Sequence, residues 1–289
     1  MVGFILHVPL RHPMVNKLTK KPFLLGVVAV MLLAPLSGCL GDDGNGEENE
    51  GPIDLVVYYE NTFATIEEIH NNGQMISRDG AEFSFDFRET RSDDGDIVTF
   101  SFDPGDGTDP ISIDAAEESI LTYEYLSHGI FTGELSAEDE DNNTASMKVT
   151  LRAEYHISDT QQNTQNPDTT SFDLAPDDDS IELPAQMRLV STVHNTETPA
   201  LWSDQVTVTW SLKDSSGTEI ASKTEPNVQD GQSVTWEHQQ VVSDPGMWTL
   251  EITIEVPSGN TEEVDVQSDL WTLYEEDESD PNPEPPISP

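Results

Sequence analysis

The stretch Phe100-Ser-Phe-Asp-Pro-Gly-Asp-Gly-Thr108 decides how the rest of the chain is read. Phe100 and Phe102 alternate with Ser101, the period of two that a strand with one buried face imposes, and Val98 extends the apolar row. Full burial of each such side chain contributes about 1.5–3 kcal/mol, which makes this strand the centre of a core. The alternation then stops at a tight turn. Gly105 and Gly107 can take positive φ without steric cost, and the carboxylates of Asp103 and Asp106 can accept hydrogen bonds from turn amides.

The same period recurs on both sides: Phe83, Phe85, Phe87; Met147, Val149, Leu151; Val206, Val208, Trp210, Leu212; Trp248, Leu250, Ile252, Ile254, Val256. Short alternating runs separated by Gly, Pro, Asp and Asn predict an all-β chain built from β-sandwiches. Phe63 to His70 alone has some helical look, and it is read as a loop or a single turn. Trp210, Trp236 and Trp248 fall at inward strand positions and are expected in the core, whereas Trp202, between Pro199 and Asp204, is the candidate for surface contact.

Composition divides the chain. Residues 159–180 are dominated by Gln, Asn, Thr, Asp and Pro, a linker composition, so two sandwich domains are expected, at 53–158 and 181–274, with a hinge between them. Residues 275–289 are acidic and proline-rich and are expected to be a disordered tail, and residues 39–52 carry too little apolar surface to be more than a flexible acidic tether.

One module bears a resemblance. Residues 80–151 resemble a PKD domain, carried by Ser92-Asp-Asp-Gly-Asp-Ile-Val98, Phe100 to Thr108, Tyr125, Gly129-Ile-Phe131, Leu135, Ala137 and the turn Asp139 to Asn142. The sequence departs from that pattern in having Phe102 where the family has tryptophan and Pro104 where it has an aromatic residue. The resemblance implies an immunoglobulin-like sandwich. Residues 183–274 resemble more loosely the immunoglobulin-like, adhesion-related modules found beside PKD domains in prokaryotic surface proteins, through Val206 to Thr218, Asp230 to Trp236 and Asp244 to Val256.

The amino-terminal segment has a basic region, Lys17 to Lys21, and an apolar run of 14 residues, Phe23 to Leu36, as in an export signal. That run is short of the roughly 20 residues a membrane-spanning helix needs. Leu36-Ser37-Gly38-Cys39 closes it and resembles the lipobox of prokaryotic lipoproteins. The resemblance implies a signal peptide over residues 1–38, with Met14 as the better start, and a lipid on Cys39 that anchors the mature chain to the outer face of the cell membrane. Cys39 is the only cysteine, so no internal disulfide can form.

The chain carries 12 basic and 56 acidic residues, for a formal charge of −44. Losing residues 1–38 would remove four basic residues and no acidic one, leaving 8 − 56 = −48. Such a charge excludes nucleic acid as a partner, and it is more tolerable in brine, where the Debye length falls to about 3 Å, which suits a salt-adapted prokaryote, an archaeon among them. No nucleophile elbow, metalloprotease helix, phosphate-binding loop or paired-cysteine motif occurs, so no enzyme and no cofactor are expected. His70, His128, His156, His194 and His238 have no metal-ligand spacing and are read as ordinary strand or surface residues. Calcium is the one ion the residues could hold, if Asp94, Asp96, Asp103, Asp106 and Asp139 meet at one end of the first sandwich, because Ca²⁺ takes six to eight oxygens. The expected function is a non-catalytic surface module contacting an unknown protein or glycan; the alternative is an accessory subunit of an exported enzyme or transporter.

Overall fold

The structure, a computed structural model, describes residues 51–176, 182–196, 205–257 and 262–285, and the described residues belong to one compact unit. They contain strands and no helix: β1 (Ile53–Asp54), β2 (Phe63–Asn71), β3 (Gln74–Asp79), β4 (Ala81–Asp86), β5 (Arg91–Ser92), β6 (Ile97–Asp103), β7 (Ile111–Asp114), β8 (Ile120–Tyr125), β9 (Gly129–Asp139), β10 (Thr144–Thr164), β11 (Thr170–Asp173), β12 (Gln186–Asn195), β13 (Val206–Lys213), β14 (Glu219–Val228), β15 (Ser233–Val241), β16 (Met247–Glu255) and β17 (Val264–Leu273). The segment read as a loop or turn, Phe63 to His70, is strand β2. It pairs in parallel with β10 from Arg152 to Thr160, and Ile66 is fully buried, so a long-range partner that local spacing does not reveal settles its conformation.

The first sandwich packs the antiparallel pair β4–β8 against β6 and β9. Phe85 lies 4.8 Å from Phe102, Phe87 stacks on Phe100 at 4.6 Å, and Tyr125 stacks on Phe131 at 4.3 Å. Phe102 is fully buried in the place where the PKD pattern has tryptophan, and Tyr123 fills in edge-on at 5.6 Å. The expected apolar row is one residue shorter than read. An irregularity between Ile97 and Thr99 leaves Val98 only half-buried.

The second sandwich faces β15-β12-β17-β10 with the sheet β11-β16-β13-β14. Trp210, Trp236 and Trp248 are all buried there, as the alternation requires. The Trp210 indole N–H donates to Ser191 Oγ at 3.0 Å, and Ser191 in turn meets Ser268 Oγ at 2.8 Å, so the polar atoms of this core are paired with one another.

Strand β10 belongs to both sandwiches. Thr144 to Ala153 pair with β9, and Tyr155 to Thr164 pair with β17, so a single 21-residue strand runs through the boundary. The expectation of a linker over 159–180 is corrected in its described part: Asp159–Thr164 end β10, and Thr170–Asp173 form β11. The polar composition that suggested a linker is used for internal pairing. Asp159, 3% exposed, accepts hydrogen bonds from Gln161 Nε2 and from Thr170 Oγ1, which fixes β11 against β10. Residues 177–181 lie outside the described residues.

The tail expected to be disordered is likewise held in its described part. Ser279 exchanges hydrogen bonds with Thr150 of β10, Asn282 pairs with Tyr59, and its amide donates to Val57 O. Arg152 donates to both Glu154 and Glu278 at 2.8 Å, tying the tail to the strand beneath it. This segment satisfies an edge of β10 that neither β2 nor β9 covers.

Candidate functional site

The five aspartates proposed for calcium do not converge. Asp103 and Asp106 sit in the turn after β6, with Gly105 and Gly107 at φ +69° and +84°. Asp103 accepts from Gly105 N, and Asp106 accepts from Thr108 N and the Tyr123 hydroxyl. The Tyr125 hydroxyl caps the same turn by donating to Pro104 O at 2.7 Å. Asp94, Asp96 and Asp139 lie at the other end of β6, a seven-residue strand that separates the two groups by about 20 Å. Asp139, 1% exposed, is already coordinated within the protein by Asp141 N, Asn143 N, the Asn143 amide and Ser92 Oγ. Burial pushes its carboxyl up, but these hydrogen bonds outweigh burial and hold it below the usual carboxylate range. Among the described residues no three His, Cys, Asp or Glu side chains are grouped to hold a metal ion. Cys39 and Trp202 lie outside the described residues.

A cleft is instead built where β10 passes from one sandwich to the other. In the second sandwich β10 faces β11, and β2 and β3 carry their sheet beyond that cover. Tyr155 of β10, Glu68 of β2 and Arg78 of β3 therefore line a cleft of about 360 Å³, walled on the far side by Phe172, Asp173 and Met247. Glu68 organises the floor. It accepts from the Tyr155 hydroxyl at 2.7 Å, meets His70 Nε2 at 2.6 Å, and has the Arg78 guanidinium at 3.7 Å. Burial, followed by the Glu68 hydrogen bond, pushes the Tyr155 phenol well above its ordinary value, so it remains a neutral donor. His128 stacks on Tyr155 at 5.7 Å and bonds the Tyr274 hydroxyl at 2.7 Å.

The lips of this cleft are apolar and open. Met75 on β3 is 54% exposed and Met247 on β16 is 52% exposed. Strand β3 pairs only with β2 among the described strands, and five of its six residues are exposed. Thioether side chains on a surface are adaptable, since three rotatable bonds let them fit differently shaped partners.

A second cluster lies on the outer face of the large sheet. Register places Glu67, His156, Trp271 and Arg188 in one row across β2, β10, β17 and β12. His156 and Trp271 are stacked at 4.6 Å with planes 1° apart, and the Arg188 guanidinium covers Trp271 at 4.9 Å. His156 bonds Glu67 at 2.6 Å and Asp269 at 3.1 Å. Burial lowers its pKa, but the hydrogen bonds to Asp269 and Glu67 prevail and hold it above the ordinary value. Stacked neighbours cover the faces of the Trp271 ring, so it does not offer a free platform.

Sequence reading treated His70, His128 and His156 as ordinary and passed over Trp271. His70 meets Glu68 two residues away on its own strand, but the partners of His128 and His156 lie far along the chain, and for His156 and Trp271 the register alone brings them together. The one available signal was alternation within β17, which puts Trp271 opposite in phase to the buried Val264, Val266 and Leu270.

Comparison with known proteins places the first sandwich. The PKD domain family model matches residues 67–155, from β2 into β10. Among solved structures, the PKD1 domain of Vibrio anguillarum Epp aligns with 31% of this chain and 92% of its own, at 23% identity and TM-score 0.20. A carbohydrate-binding module of the β-sandwich superfamily aligns with 78% of this chain and 94% of its own, at 10% identity and TM-score 0.29. Infectious bursal disease virus, Gx strain, gives 77% and 67%, at 10% identity and TM-score 0.28. No curated protein sequence matches the chain. The turn, the aromatic core and the family model agree, and the chain is one that contains a PKD domain.

Proposed function

We propose that the chain is a non-catalytic, extracytoplasmic binding module that holds a partner polypeptide at the cleft between β3 and β11, and that a lipid on Cys39 anchors it. The observation that carries the reading is the cleft: methionines half-exposed on opposite lips, over a floor where Glu68, Arg78 and Tyr155 are fixed by mutual hydrogen bonds and charge. A concave site with a deformable apolar rim and a few fixed polar groups suits side chains of a peptide. The tyrosine of the cleft is held in its protonated form, which suits hydrogen bonding to a partner.

The test is a protein and glycan array probed in 1 M NaCl with the fragment from residue 53 onward, followed by Arg78→Ala and by Met75→Ser with Met247→Ser. Binding to polypeptides that falls at least tenfold in both variants, at unchanged melting temperature, supports the reading. Ligands that bind the variants as well as the parent move the site elsewhere, and glycan binding alone replaces the polypeptide. For the anchor, Cys39→Ser should release the protein from the membrane fraction or leave it unprocessed, because stable anchoring needs the lipid. An unchanged mature mass and membrane fraction would refute it.

A further inference from the structure

We propose that Asn142 is an N-glycosylation site and that its glycan stands at the end of the molecule from which the tether leaves. The triplet Asn142-Asn143-Thr144 is the one Asn-x-Ser/Thr triplet in the chain, and the acceptor chemistry needs both the carboxamide and the hydroxyl two residues on. The fold presents both. Asn142 is exposed at the tip of the turn joining β9 to β10, in the left-handed region at φ +62°, and Thr144, the first residue of β10, is exposed as well. Asn143 between them is ruled out as the acceptor. Its amide donates to both Asp139 oxygens, and the residue two places after it is Ala145.

The turn is braced from beneath, so that a bulky substituent on Asn142 displaces nothing. Asp139 receives Asn143 N and Asp141 N, Asn142 N donates to Asp139 O, and Ser92 holds the other carboxylate oxygen. The same contacts fix the tip's position. Ser92 pairs with Ile53, Asp93 N donates to Pro52 O, and Glu140 N donates to Asp96 O, so the tip stands beside the residue at which the folded part begins.

A membrane enzyme using a lipid-phosphate-linked sugar would find its acceptor there. The Asn142 Nδ2 forms a bond to the anomeric carbon, the bond from that carbon to the phosphate oxygen breaks, the lipid phosphate leaves with the electron pair, and the amide proton passes to a base of the transferase. The proposal rests on the export reading given above.

The experiment uses the full chain isolated from cells of its source. Trypsin releases residues 92–148 as one peptide, since no Lys or Arg lies between Arg91 and Lys148. That peptide should carry the mass of at least one sugar unit, the addition should vanish in Asn142→Gln and in Thr144→Ala, and it should persist in Thr144→Ser. All three variants should melt with the parent, because the side chains changed are exposed. An unmodified peptide from processed, membrane-bound protein overturns the proposal and leaves the export reading standing. An unmodified peptide from a chain that retains residues 1–38 overturns both.

Discussion

The two sandwiches solve the same packing problem with different materials. In the first, rings from β4, β6, β8 and β9 pack on one another, and the polar ends of Tyr123 and Tyr125 point into the turn after β6, where Asp106 and Pro104 O receive them. Burial and the Asp106 hydrogen bond push the Tyr123 phenol up to about 12. In the second, Trp210 brings its polar atom inside, where Ser191 receives it and Ser268 backs Ser191 in the middle of the core. The second core thus holds a hydroxyl pair in its middle, whereas the first sends the polar ends of its rings out to a turn. The shared strand β10 means that neither core is closed without the other.

The largest effect tests that last point. Phe102→Ala should cost about 3–5 kcal/mol, since it deletes a fully buried ring. Calorimetry should show one transition moving as a whole, and two transitions of which only one moves would separate the sandwiches after all. Next, Ser191→Ala should cost about 1–3 kcal/mol by leaving the Trp210 N–H unanswered in the core, whereas Ser101→Ala on the central strand of the first sandwich should stay within about 0.5 kcal/mol. Equal costs for the two serines would erase the contrast.

The smallest effects are in pH, and they have opposite signs. Asp139, in the first sandwich, has its folded pKa depressed, so its contribution is present above the unfolded value of about 3.9 and is lost as pH falls through the folded value. Asp139→Asn should flatten the fall in melting temperature below about pH 4. His156, on β10 between the carboxylates of Glu67 and Asp269, has its folded pKa raised. Its contribution is full below about pH 6.5 and fades as pH rises through the folded value, so the advantage of the parent over His156→Gln should shrink from pH 6 to pH 9. An advantage that does not change over that range would mean the histidine is held neutral.

Legibility in the sequence followed the range of the interactions. Phe102, Gly105, Trp210 and Leu250 were placed correctly because period two and turn chemistry are local. Phe63 to His70 and Asp159 to Thr164 read as turn and linker because their strand character comes from partners far along the chain: β2 needs β10, and the end of β10 needs β17. Polar composition misled for a related reason. Asp159, Gln161 and Thr170 look like linker residues until they are seen to bond one another, and Glu278 and Asn282 look like tail until Arg152 and Tyr59 are set beside them. The cleft was invisible for the same cause, since Glu68, Arg78 and Tyr155 come from three strands.

Strand β10 also sets how the molecule would bear a pull. It starts beside the tether root, at Thr144, and runs about 65–70 Å to Thr164, with the cleft residue Tyr155 partway along. Were the amino terminus anchored, a partner tugging at the cleft would load the stretch of β10 between Thr144 and Tyr155 lengthwise against β9. Hydrogen bonds perpendicular to the load must then break together in shear rather than one at a time, so the strand that joins the sandwiches would act as the tensile element of the protein.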